Sequence, residues 1–150
     1  MSYCIDTSAL IAAWSERYPP KLFPGVWERI DKLIKEGRLV APEDVRREVR
    51  DKADGLFDWV NERRALFVDL ELEIQERAKE ILREHPWLLK NVPGKSPADP
   101  FVIALAMERS LIVVTEEAPG SPKKPKIPLV CSAYNVECIN LLELLTRELR

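Results

Sequence analysis

Ser2-Tyr3-Cys4-Ile5-Asp6-Thr7-Ser8 is the stretch that decides how this chain is read. Tyr3, Cys4 and Ile5 make a short continuous apolar run. That is the pattern of a strand buried on both faces of a parallel sheet, not the alternation of a half-solvated one. Thr7 or Ser8 is placed to cap a helix running on through Leu10, Ile11, Ala12, Ala13 and Trp14. Asp6 therefore falls where strand gives way to helix, the edge at which open α/β sheets hold their ligands. An acid there carries function only if other acids converge on it, so the remaining chain is searched for them.

Length and composition bound that search. A chain of 150 residues, 46% apolar and 32% charged, is expected to form one domain over residues 1–150 with a real core. No apolar run approaches the ~18 residues of a membrane-spanning helix, and no basic segment precedes an apolar one as in a secretory signal. Three widely spaced cysteines, Cys4, Cys131 and Cys138, match neither a disulfide framework nor a zinc pattern. The expected compartment is the cytoplasm. A net charge of −2 argues against a protein that coats duplex nucleic acid. It argues less against a nuclease, because an acid cluster loaded with divalent cations changes sign locally.

Outward from the first strand, apolar spacing predicts helices over about 24–36, 42–52 and 56–64, then one with Ile74, Ala78, Ile81 and Leu82 on its inner face, with breaks at Tyr18-Pro19-Pro20, Asp54-Gly55 and His85-Pro86. Leu39-Val40-Ala41 and Leu66-Phe67-Val68 are short strands. A breaker-rich loop covers 90–96, and Pro97 to Arg109 is a helix so apolar that it must pack on most sides. Leu111 to Thr115 is the clearest strand. Leu129-Val130-Cys131 and Glu137-Cys138-Ile139 are candidates for two more, and a helix from Leu141 closes the chain. Strands alternating with helices predict a three-layer α/β/α sandwich on a mainly parallel sheet.

Several acids are placed to join Asp6. The strand ending Val114-Thr115-Glu116-Glu117 supplies a hydroxyl and two carboxylates. Asp99 lies in the first turn of the apolar helix, where its blander role is to complement the helix dipole, worth ~0.3–1 kcal/mol. Glu48 sits at the margin of the Val45/Val49 stripe, and periodicity does not separate it from an ordinary surface acid. Four like charges in one cleft destabilise a fold unless cations neutralise them. Hard cations with oxygen ligands, Mg²⁺ or Mn²⁺, do so and activate the waters they keep.

These residues resemble a known set. Ile5-Asp6-Thr7-Ser8 resembles the opening signature of PIN-domain nucleases, and Glu48 in Val45-Arg46-Arg47-Glu48-Val49 matches their helical second acid. Ala98-Asp99-Pro100-Phe101-Val102-Ile103-Ala104-Leu105-Ala106 is similar to their third motif. Val114-Thr115-Glu116-Glu117 is similar to their fourth, usually threonine, any residue, aspartate. The segment from Pro128 to Cys138 looks like a branch related to VapC-type toxins. The resemblance implies cleavage of RNA with Mg²⁺ or Mn²⁺, leaving 5′-phosphate and 3′-hydroxyl ends. It also implies an antitoxin protein as partner and a homodimer. By the same resemblance Asp6, Glu48, Asp99 and Glu117 are metal ligands, and Ser8 and Thr115 orient ligands or waters. Glu117 departs from the usual aspartate, which leaves Glu116 as the other candidate for the fourth acid.

Other features are weighed against this. Gly94-Lys95-Ser96 mimics the end of a P-loop, but the first glycine of that motif would be position 89, which is Leu89. Lys95 is more simply a solvated lysine; its functional reading is a contact to the RNA backbone near Asp99. One histidine, His85, excludes a histidine-pair ribonuclease within one chain. The four tryptophans are expected to be packing residues. The rival function is a catalytically silent PIN-like module that binds RNA or a protein. A receiver-like signalling domain is disfavoured, because only Asp69 after the third strand fits its pattern.

Overall fold

A computed structural model describes residues 1–90, 98–123 and 125–149. Its sheet has the order β3-β2-β1-β4-β5, in which β1 is Tyr3–Ile5, β2 Leu39–Pro42, β3 Phe67–Val68, β4 Ile112–Val114 and β5 Cys138–Ile139. Every pairing is parallel, and β1 lies at the centre between β2 and β4. Successive strands step from β1 outward to β3 on one side; then the chain returns to the other side of β1. The crevice between β1 and β4 is therefore the switch point at which the direction of winding reverses.

Parallel neighbours cannot be joined by a tight turn and need crossovers, here helices. These are α1 (Thr7–Ala12), α2 (Pro24–Lys35), α3 (Glu43–Lys52), α4 (Asp54–Asn61), α5 (Leu72–Glu84), α6 (Trp87–Lys90), α7 (Asp99–Arg109) and α8 (Ile127–Ala133), and α9 (Leu141–Glu148) follows the last strand. The apolar helix α7 packs on β1, β2 and β4 and is covered by α5, which explains why Val102 through Ala106 are all buried. Pro100 occupies its first turn, where the missing N–H costs nothing. Ser110 ends it in the left-handed region at φ 55°. Gly37 terminates α2 in the same way, with φ 72°.

Three expectations need correction. Leu129-Val130-Cys131 is not a strand but the middle of α8. Pro128 fits a first helical turn, and Ile127, Val130 and Cys131 bury one face at helical spacing. A three-residue apolar run does not distinguish the two states; the parallel pairing of β4 with β5 does, since it demands a crossover. Asp54-Gly55 opens α4 instead of forming a break, with Gly55 lying against the Trp14 ring. The cap of α1 is Asp6, not Thr7 or Ser8.

Trp14, Trp27 and Trp59 pack, as expected. They make an edge-to-face chain with centroid separations of 5.1 and 4.9 Å, and the Arg63 guanidinium lies 3.8 Å over Trp59. At the amino end of the sheet, the buried Tyr3 hydroxyl donates to Glu148 at 2.6 Å, and Arg38 donates to the same oxygen. Among the described residues no helix is long and apolar enough to cross a membrane.

Ile103, fully buried in α7, tests this arrangement. Ile103→Ala is expected to lower stability by about 2–5 kcal/mol, read as a fall in the urea midpoint at unchanged slope. Leu142→Ala, at a position 63% exposed, is expected to stay within ~0.5 kcal/mol of the parent.

Candidate metal centre

The register of the sheet builds the site. Ile5 pairs with Val114, so the residues that follow, Asp6 and Thr115, emerge side by side, and the Asp6 N–H donates to the Val114 carbonyl at 3.0 Å. Asp6 is 1% exposed. Its Oδ1 caps α1 by accepting from the Ala9 N–H at 2.8 Å, and the Ser8 hydroxyl donates to both carboxylate oxygens at 2.9 Å. The Thr115 hydroxyl donates to Oδ2. Each hydroxyl also accepts a backbone N–H, Ser8 from Glu116 and Thr115 from Glu117, both at 3.1 Å. With a lone pair taken in this way, each turns its single proton to Asp6. Sequence reasoning named these hydroxyls but not the carboxylate's second job as a helix cap.

Two more carboxylates reach the same space. Asp99 is the first residue of α7, and Glu117 follows β4. One oxygen from each of Asp6, Asp99 and Glu117 lies within 4.8 Å of the others. Donors on opposite sides of Mg²⁺, bound at about 2.1 Å, stand about 4.2 Å apart. The spacing of the three oxygens is close to that reach, and an all-oxygen set suits Mg²⁺ or Mn²⁺ over softer metals.

Glu48 borders this trio without joining it. Its carboxylate accepts the N–H of buried Ala98, which ties α3 to the start of α7, one residue before Asp99. Its charge is still felt by Asp99 and Glu117. Glu116 goes elsewhere: it accepts the Leu141 N–H at the start of α9 at 3.0 Å and pairs with Arg17 at 3.5 Å. The structure thus separates adjacent acids, Glu117 toward the cluster and Glu116 toward α9. Glu117 is further tied to the Ile127 N–H at 3.4 Å. Lys95 lies outside the described residues.

Burial and crowding act on all three acids. Burial pushes Asp6 up to about 7, against the pull of its Thr115, Ala9 and Ser8 hydrogen bonds and with added repulsion from Glu117. Burial, then repulsion from Glu117, Asp6 and Glu48, pushes Asp99 up to about 8. Glu117 is raised by burial too, while the Ile127 N–H and Lys126 oppose the rise. Lys52 also lowers Asp99 and Glu117 electrostatically. The sequence reading did not single it out, although its place four residues after Glu48 sets both on one face of α3.

The all-parallel five-stranded sheet flanked by helices is a three-layer α/β/α sandwich of PIN-like fold. The chain belongs to the family described as a domain of unknown function, DUF4411, whose model matches residues 3–149. Among solved structures, a chain of Rickettsia felis VapBC2, crystallised with a DNA fragment from its promoter, aligns with a TM-score of 0.57. That alignment covers 93% of this chain and 98% of that one at 14% identity. A chain of a Klebsiella pneumoniae toxin–antitoxin complex aligns over 77% of this chain and 87% of that one, at 18% identity and a TM-score of 0.48. No curated protein matches by sequence. What the R. felis chain shares with this one is the fold.

Raised carboxyl pKa values fix a sign for stability. Between the ordinary carboxylate range and about 7–8, the folded cation-free protein binds more protons than the unfolded one, so stability falls as pH rises through that window. In EDTA the urea midpoint is therefore expected to drop from pH 5 to pH 8. Asp99→Asn is expected to flatten that dependence, and Mn²⁺ added to the parent at pH 8 to restore the midpoint.

Proposed function

We propose that this chain is a Mg²⁺- or Mn²⁺-dependent endoribonuclease, hydrolysing RNA phosphodiesters as the toxin of a toxin–antitoxin pair. The observation that carries the reading is the convergence of Asp6, Asp99 and Glu117, drawn from distant parts of the chain, at the carboxyl edge of the central strands. A bound divalent cation supplies charge neutralisation at phosphorus and lowers the pKa of water.

The chain's own residues do the rest. Asp6, Asp99 and Glu117 hold the cation, and Ser8 and Thr115 keep the Asp6 carboxylate in one orientation. Glu48 acts as the fourth acid through its hold on the start of α7 and its charge beside the trio. Glu116 supports from the other side by anchoring α9. Lys52 and Lys126, close enough to act on the acids, offset the negative field that an approaching phosphate meets. Lys95, two residues before Pro97 in the segment leading to α7, is assigned to the RNA backbone. Support for an antitoxin partner comes from the R. felis relative in fold, which belongs to the VapBC2 complex. The same reading makes the chain a cytoplasmic protein and a homodimer.

Cleavage of single-stranded RNA oligomers by the pure protein in Mn²⁺ is the test. Asp6→Asn and Asp99→Asn are each expected to lower the rate by more than about 100-fold, because residues that merely orient metal ligands already cost about 10–100-fold. Ser8→Ala is expected within that 10–100-fold range. Lys52→Ala is expected to raise KM and make the salt dependence of binding shallower by about 0.7. Activity that survives both aspartate substitutions, or EDTA, overturns the proposal. Calorimetric titration with Mn²⁺ distinguishes a silent binding module, which need not take up the metal.

A further inference from the structure

One helical turn from Glu48 along α3, a second cleft of about 360 Å³ opens between α3, α5 and α7. It lies on the same edge of the sheet as the acid trio. Asp44 follows the carboxyl end of β2, Asp69 follows that of β3, and Phe101 shares the first turn of α7 with Asp99. Ala78, Leu82 and Phe101 give it an apolar floor, while Arg47 and Lys79 stand at its mouth. The volume lies within the ~300–1,000 Å³ typical of small-ligand sites.

Its chemistry is selective. The Asp44 side chain is only 15% exposed, and its cation, Arg47, is 3.8 Å away and 60% exposed. Carboxylates accept hydrogen bonds and donate none, so a lining that carries Glu43, Asp44 and Asp69 favours a guest that offers N–H groups. A flat aromatic floor favours a ring. Arginine and lysine at the mouth offer contacts to a phosphate. Of the four bases, guanine presents two N–H groups on one edge, matching the two oxygens of a carboxylate. Uracil presents mainly carbonyls there.

We propose that this cleft is a nucleobase subsite that takes an unstacked base of the RNA strand crossing the acid trio, preferring guanine and rejecting uracil. The inference rests on the reading of the chain as a ribonuclease, and it assigns that enzyme a base preference. Phe101 stacks the base, Asp44 accepts from its Watson–Crick edge, and Arg47 with Lys79 holds the adjoining phosphate.

The test needs no cleavage. Saturation-transfer NMR on the full chain in EDTA, with GMP and UMP as probes, is expected to show GMP bound at least fivefold more tightly. Asp44→Asn is expected to erase that difference, and Phe101→Leu, which keeps an apolar side chain at the floor, to weaken both nucleotides. Retained thermal unfolding transitions establish that the variants fold. Equal binding of GMP and UMP, binding of neither, or a preference for an arginine-containing peptide over GMP overturns the subsite. The two readings fail separately: absent Mn²⁺-dependent cleavage sinks the ribonuclease while nucleotide binding in EDTA stands, and the reverse result sinks only the subsite.

Discussion

The carboxylate of Asp6 joins the fold to the site. One of its oxygens closes the first turn of α1, and two hydroxyls from opposite sides of the β1–β4 crevice donate to the pair. Burying an acid in this way is costly unless its hydrogen-bonding capacity is filled. Here it is filled by groups whose own positions depend on parallel pairing of β1 with β4. Slipping that register by one residue would turn Thr115 to the other face and leave the carboxylate short of a donor. The geometry of the centre and the topology of the sheet are therefore a single constraint.

The opposing forces around that constraint are local. Burial raises the pKa values of the three acids and repulsion from Glu117 adds to it at Asp6 and Asp99, while Lys52 lowers Asp99 and Glu117, and Lys126 lowers Glu117. Glu48 stabilises the arrangement differently, by holding a backbone N–H at the start of α7. A helix so apolar has little polar anchorage of its own, and this bond sets where its first turn begins.

Much of this was legible in the sequence because local signals agreed with tertiary structure. The apolar run Tyr3-Cys4-Ile5 and the near-continuous apolar stretch Phe101 to Met107 each allow few placements. The acids after β1 and β4 follow from where strands end. What was not legible depended on partners remote in sequence. Whether Glu116 or Glu117 faces the cluster is decided by the Leu141 N–H and Arg17, neither of which has any local relation to the pair. Val130-Cys131 reads equally as strand or helix until the parallel β4–β5 pairing requires a crossover. Lys52 stands one turn after Glu48, a spacing that by itself does not distinguish it from a solvated lysine.

The bond between Glu117 and the Ile127 N–H also shapes what the surface between them can become. The chain leaves the centre at one of these residues and re-enters the fold at the other, and Lys126 reaches back to Pro119 at 3.0 Å. The intervening excursion is thus an eyelet whose two ends are fastened together. Lengthening an eyelet costs little, since closure entropy grows only with the logarithm of its length. The number and charge of residues there can therefore change at little cost while the carboxylates stay where they are.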